Sequence, residues 1–522
     1  MVIIIKKRLY VKISKRCRIV EKVELNDSSE KREVKKKKNK RHPLFYKIFS
    51  FIFIVLTVVA FSFAIYNDIF PLNILLISGF FIVFIVLFIT FLLNSRLRIW
   101  LKRVLLLFTI LIMILEVIFL QYGANTIEFI KNINDNGKRI DEYGIYVLKS
   151  SKYNSLKDLS EKSFGYLAAE DENKIGQVLD KMDKEIDFSY HKVDEQNELL
   201  SKFKNGTYDA IIMQISREDI LKEEDNDAYN QLKKIESFKI ETTVKTIKSN
   251  KDITKDTFFM YISGIDTSGS VQNKARSDVN LIIGVNPRTK NILMVSTPRD
   301  YYVRLHSKGQ MDKLTHSGIY GVEESLHTLE DLYDEKIDYY ARVNFTSFVS
   351  IVNSLNGIEV DVPKNFCEQN SKREFGDKLI CLQKGKQKLN GEQALALARH
   401  RHTFAAGDRA RGENQMMILE AIINKAMSPS IITKYNSLLN SLDKKVSTNM
   451  TSDEMIKFIK KQMNRTSGWK FTKLSANGTD SRGACYSSGS AIAYVMAPEE
   501  STVTTIKNAM NSLVAGEDIV TG

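Results

Sequence analysis

Most of this chain carries no net charge. Its 522 residues hold 76 Lys/Arg against 62 Asp/Glu, a formal +14, which taken whole suggests nucleic acid or anionic lipid as a partner. The surplus is confined to the start. Residues 1–43 hold 16 basic and 5 acidic residues, net +11, and residues 44–122 hold 5 and 2, net +3. Nothing is left over for residues 123–522. That absence excludes a broad phosphate-backbone footprint on the large C-terminal part. No nucleic acid is expected as a partner, and any anion binding there must come from local placement of arginines. The basic head also lacks a helix-turn-helix pattern. Its run KREVKKKKNKRH (31–42) reads as a topology signal that also touches anionic lipid. No internal repeat appears, and the length suits two or three domains.

Also missing are a cleavage site after the first apolar run and any Lys or Arg between residues 67 and 71. The first absence argues against a secretory signal peptide. Instead three apolar runs, 45–66, 72–93 and 101–122, each offer about 20 positions, enough to cross a bilayer. The second absence sets orientation. The head and the 94–103 loop, with Arg96, Arg98, Lys102 and Arg103, are the basic sides. The N-terminus is therefore expected in the cytoplasm, with three helices in the cell membrane and everything after about residue 122 outside. Cysteine is scarce: Cys17 falls inside, while Cys367, Cys381 and Cys485 fall outside, where disulfides persist. Cys367 and Cys381 flank a short polar stretch, as the arms of a hairpin would. The sequence leaves the pairing open.

The remaining segmentation is a basic tail (1–43), a membrane part (44–122), a small α/β accessory module (123–245), a polar linker (246–257) and a larger domain (258–522). The accessory module resembles half of an extracytoplasmic solute-binding protein. It shows no cluster of chemistry and reads as a spacer or docking module. In the larger domain, apolar strands FFMYISGID (258–266), DVNLIIGVN (278–286) and ILMVSTPRD (292–300) precede helical patterns, and IEVDVP (358–363) is a further strand. Strands alternating with helices predict a three-layer α/β domain around a central mixed sheet. Residues 429–522 read as helices and a strand that complete it, without chemistry of their own.

Charged residues recur at the ends of the apolar strands. Asp266 ends the first, Arg276 and Asp278 open the second, and Arg299 and Asp300 end the third. Ligands collect at strand ends in open α/β sheets. A second cluster lies in ALARHRHTFAAGDRARGENQ (394–415): Arg399, Arg401, Arg409 and Arg411, with Asp408 and Gln415. Asp408 is placed as a helix N-cap and Arg411 as the third helical position, with Gln415 on the same face. Arg399 and Arg401 alternate, so one is expected to point in and the other to a flank. Arg409 is expected to face solvent. Planar guanidinium forks suit phosphate oxygens. Asp266 and Asp278 are a pair of hard oxygen donors suited to Mg²⁺. Together these are the equipment for a pyrophosphate. Phe345, Phe348, Val349 and Val352 are candidates for an apolar slot beside it, or for ordinary core. His400 and His402 alternate with the arginines but lack a third metal ligand in the sequence.

The series GID…RSD, STPRD, ALARHRH and GDRARGENQ resembles the LytR-CpsA-Psr family of bacterial cell-wall glycopolymer ligases. The likeness spans roughly residues 255–428, and the three-helix anchor with an added module resembles its capsule-type members. The resemblance implies an extracytoplasmic, membrane-anchored phosphotransferase. Such an enzyme takes a glycopolymer from an undecaprenyl-pyrophosphate carrier and joins it to peptidoglycan through a phosphodiester. Carried over by motif, Asp266 and Asp278 would ligate Mg²⁺. Arg276, Arg299, Arg399, Arg401, Arg411 and Gln415 would grip the pyrophosphate, with Arg276 and Arg299 acting in catalysis. Asp408 would orient arginines or act as general base. Asp300 is assigned to holding Arg299 or the strand end, and Lys313 and His316 resemble a further family motif, with a structural role as the alternative. The chain departs from the pattern at Asn414, where many members carry arginine. Two other readings compete: a membrane-bound sensor that attenuates envelope genes, and a non-catalytic lipid-phosphate scaffold.

Overall fold

A computed structural model describes residues 42–67, 70, 72–133, 137–265, 271–401, 408–426, 446–463, 468–489 and 491–519. The chain divides into two compact units, residues 1–123 and 124–522.

In the first unit three helices carry the apolar runs: α1 (His42–Tyr66), α2 (Leu72–Asn94) and α3 (Ile99–Ile133). Each is long and apolar enough to cross a membrane. α3 continues well past the expected end at residue 122, because GANTIEFIKNI contains no proline and keeps an intact hydrogen-bond ladder. The Glu116 carboxylate inside it accepts from Thr57 Oγ1 at 2.6 Å.

The second unit begins with a five-stranded mixed sheet, order β3-β2-β4-β1-β5, with β1 at Lys138–Leu148, β2 at Lys162–Leu167, β3 at Phe188–Val193, β4 at Ala210–Gln214 and β5 at Leu232–Thr243. Between strands lie α4 (Glu172–Met182), α5 (Gln196–Lys204), α6 (Glu218–Glu224) and α7 (Asn226–Gln231). Asp171 caps α4 by accepting from the amides of Asn173 and Lys174.

The larger module is built on a six-stranded mixed sheet. Its strands are β6 (Phe258–Ile265), β7 (Ser277–Asn286), β8 (Asn291–Ser296), β11 (Tyr339–Asn344), β16 (Val446–Thr448) and β17 (Lys470–Ser475), in the order β16-β11-β6-β7-β8-β17. The small pieces β9 (Tyr302–Arg304), β10 (Met311–Lys313) and α8 (Leu314–Ser317) follow β8, and α9 (Val322–Tyr333) precedes β11. α10 (Phe345–Ser354) then leads to β12 (Ile358–Val362), β13 (Phe366–Glu368), β14 (Ile380–Leu382) and β15 (Gly385–Leu389). α11 (Gly391–Arg399), α12 (Asp408–Ala426), α13 (Ser452–Met463), the hairpin β18 (Gly478–Cys485) and β19 (Ala491–Pro498), and α14 (Glu500–Ala515) complete the described elements. Strand alternation sorts the core into two faces. Tyr261, Ile282, Leu293 and Val295 pack with Leu326 of α9 and Ile506 of α14. Leu281, Ile283, Val285 and Met294 pack on the other side with Met416 of α12 and Phe458 of α13. This is the three-layer α/β arrangement expected from the sequence.

The accessory and larger modules pack against each other. Arg139 of β1, 2 % exposed, pairs with Glu323 of α9 and donates to the Tyr340 hydroxyl at 3.1 Å. Arg217, 3 % exposed, pairs with Glu170 at 3.1 Å and donates to the Ser487 carbonyl. Cys367 of β13 faces Cys381 of β14 and forms a disulfide, leaving Cys485 free and buried.

Candidate functional site

Topology brings the charged strand ends together. β7 runs antiparallel to both β6 and β8. Its beginning therefore lies beside the ends of both, and Arg276 and Asp278 meet Arg299, which follows β8. α12 lies along the same sheet, with Gly412 against Ser296 at the end of β8; a Cβ there would fall 2.1 Å from the Ser296 hydroxyl. The first turns of α12 thus deliver Arg411 and Gln415, and the helix N-terminus adds its own positive end. α11 delivers Arg399 at its last residue.

These residues line one cavity of about 270 Å³: Arg276, Asp278, Arg299, Arg399, Arg401, Arg411 and Gln415, together with Glu223, Glu368, Gln369 and Arg373. Six arginines face three carboxylates there, so the cavity favours an anion. Asp278 Oδ1 accepts from Arg299 Nη1 at 3.0 Å and from Thr315 Oγ1 at 3.2 Å. Burial alone would raise this carboxyl, but the charges of Arg299, Arg276 and Arg411 outweigh it and hold it at about 2. Arg276 is 8 % exposed, and its Nε makes no hydrogen bond among the described residues. A buried donor without a partner is costly, and an anion in the cavity would meet that need. Burial and the neighbouring Arg373 lower the basicity of Arg399, as crowded like charges do. Its guanidinium lies 5.4 Å from the Phe345 ring centroid and donates to the Asn370 carbonyl at 3.3 Å.

The site expected from the sequence is only partly within the described residues. Asp266 and His402 lie outside them, as does the side chain of Asp408. α12 is described from Asp408 onward, so the N-cap assignment of Asp408 falls at the edge of the described residues. Arg399 and Arg401 both line the cavity rather than dividing between it and a flank. The reason is His400 between them. It leaves helical geometry with ψ at 131° and buries its ring, stacking on Phe366 with centroids 4.1 Å apart and placing Nδ1 2.9 Å from Glu368 Oε2. Arg409 faces outward, half-exposed, 3.8 Å from Glu413. Asp300 sits 3.5 Å from Arg299 Nε and 3.7 Å from Lys313 Nζ. Asn414 donates to the Leu397 carbonyl and Gln415 to the Ala398 carbonyl, tying α12 to the end of α11.

Four participants escaped the sequence reading. Glu223 and Asp219 come from α6 of the accessory module, so that module reaches the charged strand ends. Glu223 Oε1 lies 2.8 Å from Arg276 Nη1. Glu368 and Arg373 come from the disulfide-closed hairpin. Its covalent closure is the one signal that could have pointed to an ordered arm beside the site.

Asp278 has the character that a hard divalent cation needs: a buried, ionised oxygen donor in an arginine-lined cavity. The residues fit Mg²⁺ to that extent. Elsewhere, Asp312, His316 and Cys485 bring three potential ligand atoms within 4.8 Å of one another. His316 Nδ1 lies 2.6 Å from Asp312 Oδ1 in a fully buried pair, the arrangement of a structural lock.

Beside the charged cavity lies an apolar one of about 200 Å³. The two share Val279, Phe345, Ala398 and Gln415. Phe345 and Phe348 line the apolar cavity, whereas Val352 belongs to the core under α10.

A model of the LytR_cpsA_psr family matches residues 220–508. The polyisoprenyl-teichoic acid–peptidoglycan teichoic acid transferase TagT of Bacillus subtilis is 38% identical over 220 residues, 41% of this chain and 67% of its own length. TagU of the same organism is 35% identical over 219 residues, 41% and 68% of the two chains. The crystal structure of B. subtilis TagV is 28% identical and aligns with 50% of this chain and 98% of its own, at a TM-score of 0.41.

Proposed function

The chain belongs to the LytR_cpsA_psr family, and from that premise we propose that it is a membrane-anchored phosphotransferase acting on a polyprenyl-pyrophosphate-linked glycan. It would transfer a teichoic-acid-like or capsular glycopolymer to a peptidoglycan hydroxyl and release polyprenyl phosphate. The observation that carries the proposal is the convergence of Arg276, Arg299, Arg399, Arg401 and Arg411 on one cavity that adjoins an apolar one. A diphosphate joined to a hydrocarbon chain has that pairing of needs. The names of the relatives support the substrate class.

In this reading the arginines neutralise the diphosphate and hold it in line. The acceptor oxygen forms a bond to the glycan-side phosphorus as the phosphorus–oxygen bond to the lipid phosphate breaks. The leaving electron pair goes to that lipid phosphate, held by guanidinium groups, and the hydroxyl proton goes to a base, the role assigned to Asp408. Asp266 and Asp278 would hold Mg²⁺, which when bound supplies further charge neutralisation at the phosphates. Lys313 lies 3.7 Å from Asp300, which sits 3.5 Å from Arg299, so both belong to the positioning of that arginine. The Lys/Arg asymmetry and the Cys367–Cys381 disulfide support placing the second unit outside the membrane, with the basic head in the cytoplasm.

The test uses the full chain in detergent with a lipid-pyrophosphate oligosaccharide, a peptidoglycan fragment and Mg²⁺. Product from the wild type and a loss of at least a hundredfold in Arg299→Ala are expected. Binding of the lipid without product in any condition would move the scaffold reading ahead.

A further inference from the structure

Arg276 and Arg299 are already engaged by an anion, and that anion belongs to the accessory module. Glu223 Oε1 lies 2.8 Å from Arg276 Nη1 and 3.5 Å from Arg299 Nη2. Asp219, one helical turn earlier and so on the same face of α6, lies 3.8 Å from Arg276 Nη2. Carboxylate and phosphate oxygens compete for the same guanidinium forks. Glu223 also forms part of the wall of the arginine cavity.

We infer that Glu223 is an internal stand-in for phosphate: it pairs with Arg276 and Arg299 and must be displaced by the incoming diphosphate. The accessory module thereby sets how tightly the site takes its lipid substrate. The inference rests on the transferase reading given above.

Three features favour displacement over a fixed structural pair. Arg276 keeps an Nε without a hydrogen bond, and its Nη1 meets Glu223 at short range but outside good hydrogen-bond geometry. Donors left unsatisfied by the carboxylate are available to a ligand that fits the fork better. The Glu223 side chain is 37% exposed, so a rotamer change can move it into solvent without moving the module. The body of α6 is anchored meanwhile: Ile220 and Leu221 are buried, and Glu224 is held by Gln196 and by Ser488 of the larger module. A fixed helix with one movable acid makes a local competitor.

A role as the general base fits less well. Burial raises Glu223, but the charges of Arg276 and Arg299 outweigh it and keep the carboxyl below its usual value. An acid that strong accepts a hydroxyl proton poorly at neutral pH.

The measurement is binding of farnesyl pyrophosphate to the full chain in detergent, with Mg²⁺, for wild type and Glu223→Gln. Glutamine keeps the size and removes the charge. If the carboxylate occupies the arginines about nine-tenths of the time, its removal raises apparent affinity about tenfold. The expected result is that gain, with a parallel fall in KM in the transfer assay. Equal or weaker binding by the variant, or a fall in kcat at unchanged KM, overturns the inference and leaves the transferase reading standing. Failure of both proteins to bind overturns the transferase reading and this inference with it.

Discussion

Asparagine in place of Asp278 removes one negative charge from among three guanidinium groups and leaves the volume almost unchanged. The folded carboxyl is held at about 2, with Arg299, Arg276 and Arg411 outweighing its burial, against about 3.9 in an unfolded chain. At about 1.4 kcal/mol per unit, ionised Asp278 contributes about 2 to 3 kcal/mol to the folded state at neutral pH. The sign follows from the depressed value. The contribution is complete above the unfolded pKa and is lost as pH falls from about 4 through about 2. Asp278→Asn should therefore destabilise the second unit by about 2 kcal/mol, equally at pH 7 and pH 5, with the gap closing only below about pH 4. Denaturant unfolding can be followed through Trp469, whose ring lies 6.3 Å from Phe458 in the core below α13, in a Trp100→Phe background. A variant as stable as wild type at pH 7, or a gap that changes between pH 5 and 7, would refute the assignment of Asp278 as the counter-charge. The same substitution should part affinity from activity. Without metal, farnesyl pyrophosphate should bind more tightly to the asparagine form, while transfer fails.

Replacing Cys367 and Cys381 by serine opens a loop with a sequence separation of 14 and should lower stability by about 3 kcal/mol. It should also weaken diphosphate binding, because the hairpin carries Glu368, Gln369 and Arg373 to the cavity; a thermal melt and a binding titration check both. Gly412→Ala should reduce transfer at least tenfold by pushing Arg411 away from the site, since the new Cβ meets Ser296, and Ser296→Gly should restore much of the loss.

The sheet was legible because its strands are apolar on both faces and bounded by charge. β6 and β7 fall within one residue of where the apolar runs place them, whereas β8 stops at Ser296, four residues before the expected end at 300, because Pro298 has no amide to donate to the ladder. Arg276 and Arg299 were legible as a pair because they flank neighbouring strand ends that antiparallel order brings together, whereas the approach of Arg399, Arg401 and Arg411 depends on how α11 and α12 pack. Glu223 was not legible. It lies in REDILKEEDND (217–227), an acidic run of the kind that ordinarily forms a solvated helix face, and only packing between modules aims it at Arg276. Phe348 and Val352 are one turn apart on α10, and helical period cannot say which wall borders a cavity and which fills the core. The cysteine pairing was open for the same reason: the hairpin that sets Cys367 opposite Cys381 is a tertiary fact.

The linker at 246–257 looks in the sequence like a place to cut the chain, and the packing argues that cutting there changes the site in a second way. The β1 backbone clasps the segment that leads into Arg276: Ile140 N donates to Gln272 O at 3.4 Å and Lys274 N donates to Ile140 O at 3.3 Å. The Asp141 carboxylate holds Lys274 at 3.3 Å, and Arg139 neutralises Glu323. A chain beginning at residue 246 loses all of these together with Glu223. If the module only competed with substrate, the shortened chain would bind farnesyl pyrophosphate as tightly as Glu223→Gln does. If it also positions Arg276, the shortened chain should bind at least tenfold more weakly than that variant and show faster amide exchange at 272–276. Weaker binding with unchanged exchange would place the loss elsewhere than in the clasp, and equal binding would show that competition is the module's whole contribution to the site.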